Sequence, residues 1–204
     1  MTELDQALSQ LAFIHDRVAA STRFRGLAPS AVALTGALAL ALATAQSVAP
    51  GSWGAGGLGF VWAWVGLAVV ATGVIAVEAL DRARRLHGGL ADLMIAGTLR
   101  LLLPFGAAGA VVTLVIARAA PDAIWILPGL WQLLVALIGF SAVNTLPPAI
   151  LWAAGWYFGC GTLTLLLAAQ AGAPSPWMMG LPFGVGQLLV AMILHQAARS
   201  DAQG

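Results

Sequence analysis

Two ionisable residues interrupt otherwise apolar stretches of this 204-residue chain: Glu78 in "VIAVEALDR" and Arg100 in "IAGTLRLLL". A charge in apolar surroundings is costly unless it is paired, hydrated or used to move an ion. Both residues fall close to the same end of neighbouring apolar segments. They are therefore candidates for an intramembrane ion pair, either clipping two helices together or serving gating or proton coupling. Each side chain could instead snorkel separately to the headgroups. Other chemistry is thinly represented. His15, His87 and His195 share no helix face and no ligand-like spacing, so no metal or haem site is expected. Cys160 is the single cysteine and cannot form an internal disulfide. No nucleophile is paired with a base, and "GAGGLG" (54–59) follows no strand, so it reads as a linker and not a phosphate cradle. The expectation is a protein without a catalytic constellation and without a cofactor.

The elements that must position these residues follow from composition. Hydrophobic residues make up 60% of the chain and charged ones 8%, where a soluble domain carries about 25%. No Asp, Glu, Lys or Arg occurs between Gly26 and Val77 or between Ala123 and Ala198. Six spans are predicted, roughly 26–48, 57–80, 95–118, 124–145, 148–170 and 177–198, each near the ~20 residues that cross a bilayer core. The fold class is thus all-α, a polytopic bundle of six transmembrane helices arranged as three hairpins. "NTLPP" parts the fourth helix from the fifth, because paired prolines break a helix. Residues 199–204 read as a short tail.

The N-terminal 1–25 is a separate element. Leu4, Ala7, Leu11, Ile14 and Val18 repeat at helical spacing, giving an amphipathic helix at the membrane surface, or one that docks a second copy or a protein partner. Acidic Glu3 and Asp5, with no apolar run before Asp16, argue against a signal peptide. Arg17, Arg23 and Arg25, then Arg82, Arg84 and Arg85 in the connection after the second helix, then Arg199, share one side. The other side has Arg118 alone. The positive-inside rule places both termini in the cytoplasm. There Arg23, Arg25, Arg82, Arg84 and Arg85 would meet lipid headgroups. A net charge of +1 gives no case for a nucleic-acid partner.

"QSVAPGSW" (46–53) and "QAGAPSPW" (170–177) repeat one turn, and "QLLVALI" (132–138) is echoed by "QLLVAMI" (187–193). Pro29, Pro104 and Pro148 fall near the starts of the odd-numbered helices. Together these suggest a parallel repeat of three like-oriented hairpins; independent use of Pro as a helix stop and Trp as an interface residue is the alternative. Thr35, Thr44, Thr72, Thr162 and Thr164, with Gln132, Gln187 and Asn144, are polar groups of the kind that hydrogen-bond between helices; the last three are the ones expected to face a shared interior, and the small residues favour close helix packing. Most tryptophans fall in an outer aromatic belt. Trp62, Trp64 and Trp131 lie deeper and are candidates for an outer aromatic pocket.

The segment "AASTRFRGLAPSAVALTGALA" (19–39) resembles the entry to the first span in a group of uncharacterised bacterial six-helix inner-membrane proteins. Ser21, Thr22, Arg23 and Phe24 carry the likeness; the Ser-Leu-Ser-Gly stretch that tends to follow is replaced by "RGLAPSAV". The resemblance implies a six-helix fold in the bacterial inner membrane and attaches no activity. Three functions remain open at this level. The first is a non-enzymatic module binding a ligand or partner. The second is a small transporter or channel with its path between the hairpins. The third is an enzyme or haem protein. The scarcity of intramembrane charge favours the first.

Overall fold

A computed structural model describes residues 28–49, 57–87 and 91–203 of the chain. Lipid offers no hydrogen bonds to a backbone, so an apolar chain that crosses it must close its own, as a helix does. Among the described residues there are six α-helices: α1 (Pro29–Val48), α2 (Gly57–His87), α3 (Ala91–Ala119), α4 (Leu127–Ser141), α5 (Ile150–Ala171) and α6 (Trp177–Gln203). Short 3-10 turns at Pro121–Ile126 and Ala142–Asn144 flank α4. Among the described residues six stretches are long and apolar enough to cross a membrane, with spans of 20 to 26 residues; the fourth, Pro121–Ser141, joins the first 3-10 turn to α4, which alone has 15 residues. The protein is a multi-pass membrane protein.

Several boundaries shift from the sequence expectation. α2 continues to His87, so Arg82, Arg84 and Arg85 stand in its last turns and not in a loop. Hydropathy marks where a helix leaves the lipid, while Ala, Leu and Arg keep it helical beyond that point. For the same reason α6 runs through the predicted tail to Gln203, and α3 begins at Ala91. Gly57, Leu58 and Gly59 belong to α2, which shortens the glycine linker. The break at "NTLPP" is present, with α5 starting at Ile150. The 1–25 helix, Arg23 and Arg25 lie outside the described residues.

Successive helices neighbour one another, and α6 closes the ring against α1. The ends can be named by content. The arginine end holds the start of α1 and the end of α2; the tryptophan end holds the end of α1 and the starts of α2, α4 and α6. The two most intimate contacts are α1 with α6 and α4 with α5. Glycine makes both. At the first, a Cβ on Gly36 would stand 3.0 Å from the Gly184 carbonyl, and one on Gly184 would run into Leu40. Gly180 and Gly184 form the Gly-xxx-Gly pattern that lets two helices touch backbone to backbone. At the second, Gly129 and Gly161 face each other's carbonyls, and Gly139 meets Ala154. The α2–α3 side is looser. A Cβ on Gly66, Gly73, Gly97 or Gly106 would meet nothing within 4 Å.

The three prolines that begin odd-numbered helices in the sequence reading occupy unlike places. Pro29 opens α1, Pro148 precedes α5, and Pro104 lies inside α3. The repeated turn also has unlike halves: Gln46 is 1% exposed, whereas Gln170 is exposed.

Candidate functional site

The tryptophan end is filled. Ala43, Phe60, Val61 and Leu127 are fully buried there, with Trp64 and Met179 close behind. The 3-10 turn Pro121–Ile126 wedges among α2, α3, α4 and α5, and buries Ile124 against Val61 and Leu127. Polar side chains staple this layer from helix to helix. Trp64 donates its indole N–H to Gln46 Oε1 at 3.0 Å, joining α2 to α1. Trp131 donates to Thr113 Oγ1 at 2.9 Å, joining α4 to α3. Trp156 donates to the Pro182 carbonyl at 3.0 Å, joining α5 to α6.

A fourth staple has a backbone cause. Pro182 lies inside α6 and has no N–H, so the carbonyl four residues back, on Met178, loses its helical donor. Gln132 supplies one: its Nε2 donates to Met178 O at 2.6 Å. The Gln132 Oε1 in turn accepts a longer contact of 3.5 Å from Thr164 Oγ1. Gln132 is fully buried. It repairs a break in a neighbouring helix and does not line an open interior.

Gln187 stands more than two turns further along α6, its Cβ against Gly36. It is half-buried and does not meet Gln132. Beside it, the buried Tyr157 hydroxyl turns towards Gln187 without closing a hydrogen bond of good geometry. Tyr157 packs on Phe183, ring centres 5.3 Å apart, and fills the space opened by Gly186. Asn144 ends the 3-10 turn after α4. Of the three tryptophans proposed for an outer pocket, Trp64 is core and Trp131 packs beside it, while Trp62 is 59% exposed on the ring's outside. They line no common space, because Trp62 points away from the face that Trp64 shares with α1.

The arginine end is different. Between α1 and α2 lies a shallow, laterally open cleft of about 580 Å³ lined by Ser30, Ala31, Leu34, Gly73, Val74, Val77 and Glu78, most of them exposed. Below it, Val32, Ala191 and Leu194 close the α1–α6 contact, with Ile75 of α2 against them. Glu78 borders the cleft and is exposed. Arg100 is exposed on α3, and among the described residues no ion pair joins the two. Arg82, one turn beyond Glu78, is half-buried and is not in ion-pair contact with it.

The chain matches no family model, no curated protein and no solved structure. Its site must be read from its own residues. Gln46, Thr113, Trp156 and Pro182 were not singled out for these roles by the sequence, although an intrahelical proline always orphans the carbonyl four residues before it. Ser30 and Gly73 carried no signal at all, since a cleft exists only once two helices are placed. Thr35, Thr44 and Thr162, read as groups that bond between helices, donate instead to carbonyls three or four residues earlier in their own helices. His195 is exposed on α6, and the described residues hold no cluster of metal-ligating side chains.

Proposed function

We propose that this protein is a non-enzymatic binding module of the bacterial inner membrane, with both termini and the arginine end in the cytoplasm. Its ligand site is the lateral cleft between α1 and α2. The observation that carries this reading is the contrast in filling along the bundle axis. A transport path between the helices would have to cross the layer of Phe60, Trp64, Leu127 and Met179 and part its staples. The cleft, by contrast, opens sideways at one end only, next to a carboxylate. Such a shape receives a molecule from one leaflet and does not pass it across.

The orientation rests on the arginines of α2 and on Arg199, against Arg118 alone at the other end. The six-helix family suggested by "STRF" is consistent with this placement. A parallel repeat is supported by the indole staples: Trp64–Gln46 and Trp131–Thr113 both span 18 residues, and each joins the second helix of a hairpin to the first. The last hairpin departs from it, since Trp156 lies on the first helix and donates forward.

Proteoliposomes loaded with the pH-sensitive dye pyranine test the reading. Vesicles with the wild-type protein should hold a proton gradient as long as protein-free vesicles do. A leak that Glu78→Gln abolishes would overturn it in favour of a proton-coupled transporter.

A further inference from the structure

The cleft is apolar on both walls and polar only at one end, where Ser30 and Glu78 stand. Its lining spans one turn of α1, from Ser30 to Leu34, and a little more of α2, from Gly73 to Glu78. At 1.5 Å per residue this is roughly 6–8 Å along the helices. That length suits a headgroup and the first methylenes below it, not a whole lipid. Below Gly73, Val69 and Val70 are 67% and 54% exposed, so the apolar wall continues along α2 into lipid-facing surface. An acyl chain can leave the cleft there without crossing a polar group.

The polar end selects the head. Glu78 is exposed, borders the cleft and, among the described residues, has no ion-pair partner. An anionic headgroup would be repelled by it. A quaternary ammonium would be attracted but has no N–H to donate. A primary ammonium can donate to both the Glu78 carboxylate and the Ser30 hydroxyl, which are acceptors. Resting on the reading of the cleft as the ligand site, we propose that it holds a zwitterionic lipid of the phosphatidylethanolamine class. The lipid's ammonium lies on Glu78 and Ser30, and its upper chain lies along Leu34, Gly73 and Val74.

Native mass spectrometry of the full chain, delipidated in mild detergent and titrated with dioleoyl phosphatidylethanolamine, phosphatidylcholine or phosphatidylglycerol, tests this. The wild-type protein should retain the ethanolamine lipid about fivefold over the other two, the scale of a part-exposed ion pair. Glu78→Gln should bring that ratio to about one without loss of thermal stability, because the side chain is exposed. A Cβ at Gly73 would meet nothing within 4 Å, so Gly73→Leu should project into the cleft and lower uptake of all three lipids. A preference that survives Glu78→Gln overturns the headgroup assignment. Equal uptake of the three lipids, lost in Gly73→Leu, overturns the assignment but leaves the cleft a ligand site. Uptake indifferent to Gly73→Leu overturns the site itself.

Discussion

The α1–α6 pair and the α2–α3 pair are both built from apolar helices, yet the more apolar pair is the less buried. The most apolar window of α3 is 6% buried and that of α2 is 17% buried, against 39% and 44% for α1 and α6. Their mean hydropathies run the other way, 2.0 and 2.2 against 1.7 and 1.7. In water such an order would be perverse, since apolar surface drives burial. In a bilayer the lipid tails are as apolar as leucine, so hydropathy decides only that a helix enters the membrane. Which helices touch depends on small residues that admit a neighbouring backbone and on polar side chains that need partners. α1 and α6 have both. The middle of α2 and the first half of α3 have glycines, but nothing faces them.

Overpacking should break this comparison most strongly. Gly180→Leu or Gly184→Leu drives a side chain into Ala43 or Leu40 and should cost about 3 kcal/mol, the upper end for overpacked sites, or prevent folding. Gly66→Leu and Gly106→Leu, on the open faces, should stay within about 0.5 kcal/mol. Unfolding in mixed detergent micelles measures both, and equal losses would refute the contrast between the pairs.

The Gln132 repair comes next. Gln132→Leu leaves the Met178 carbonyl without a donor and should cost about 1–2 kcal/mol. In a Pro182→Ala background the helix can supply its own N–H to Met178, so the same substitution should cost less. A double-mutant cycle reads that coupling, and additivity within about 0.5 kcal/mol would show that Gln132 does not serve the proline break.

The indole staples should show the smallest effects. Trp64→Phe and Trp131→Phe each remove one interhelical hydrogen bond, worth about 0.6 kcal/mol on average in a membrane protein, plus some packing. Trp62→Phe, on the lipid face, should be silent in the same unfolding assay. A Trp62 effect as large as that of Trp64 would mean that the exposed ring has a protein neighbour.

The six spans and their ends were legible because charge is absent from long windows and because prolines and glycines punctuate them. The arginine-rich end of α2 was misplaced into a loop, since hydropathy tracks the solvent and not the backbone. The proposed polar interior was half legible. Gln132 and Thr164 do bond between helices, but Thr35, Thr44 and Thr162 back-bond within their own, a choice set by which face a neighbour covers. Glu78 and Arg100 share an end of the bundle and stay apart, because sharing a depth on consecutive helices does not fix the rotation of either. The tryptophans divided in the same way: Trp62 and Trp64, two residues apart on α2, point to nearly opposite sides of a helix with 3.6 residues per turn.

What the sequence determined by itself is periodicity and solvent: six apolar helices, where the lipid ends, and which end carries the arginines. These depend on each segment's own composition and length. The tertiary structure alone decided that α1 closes on α6, that Gln132 mends the proline break in α6, and that Glu78 borders a cleft. Each of these depends on the rotation and lateral position of two helices at once, which no single segment encodes when lipid and protein are equally good apolar neighbours.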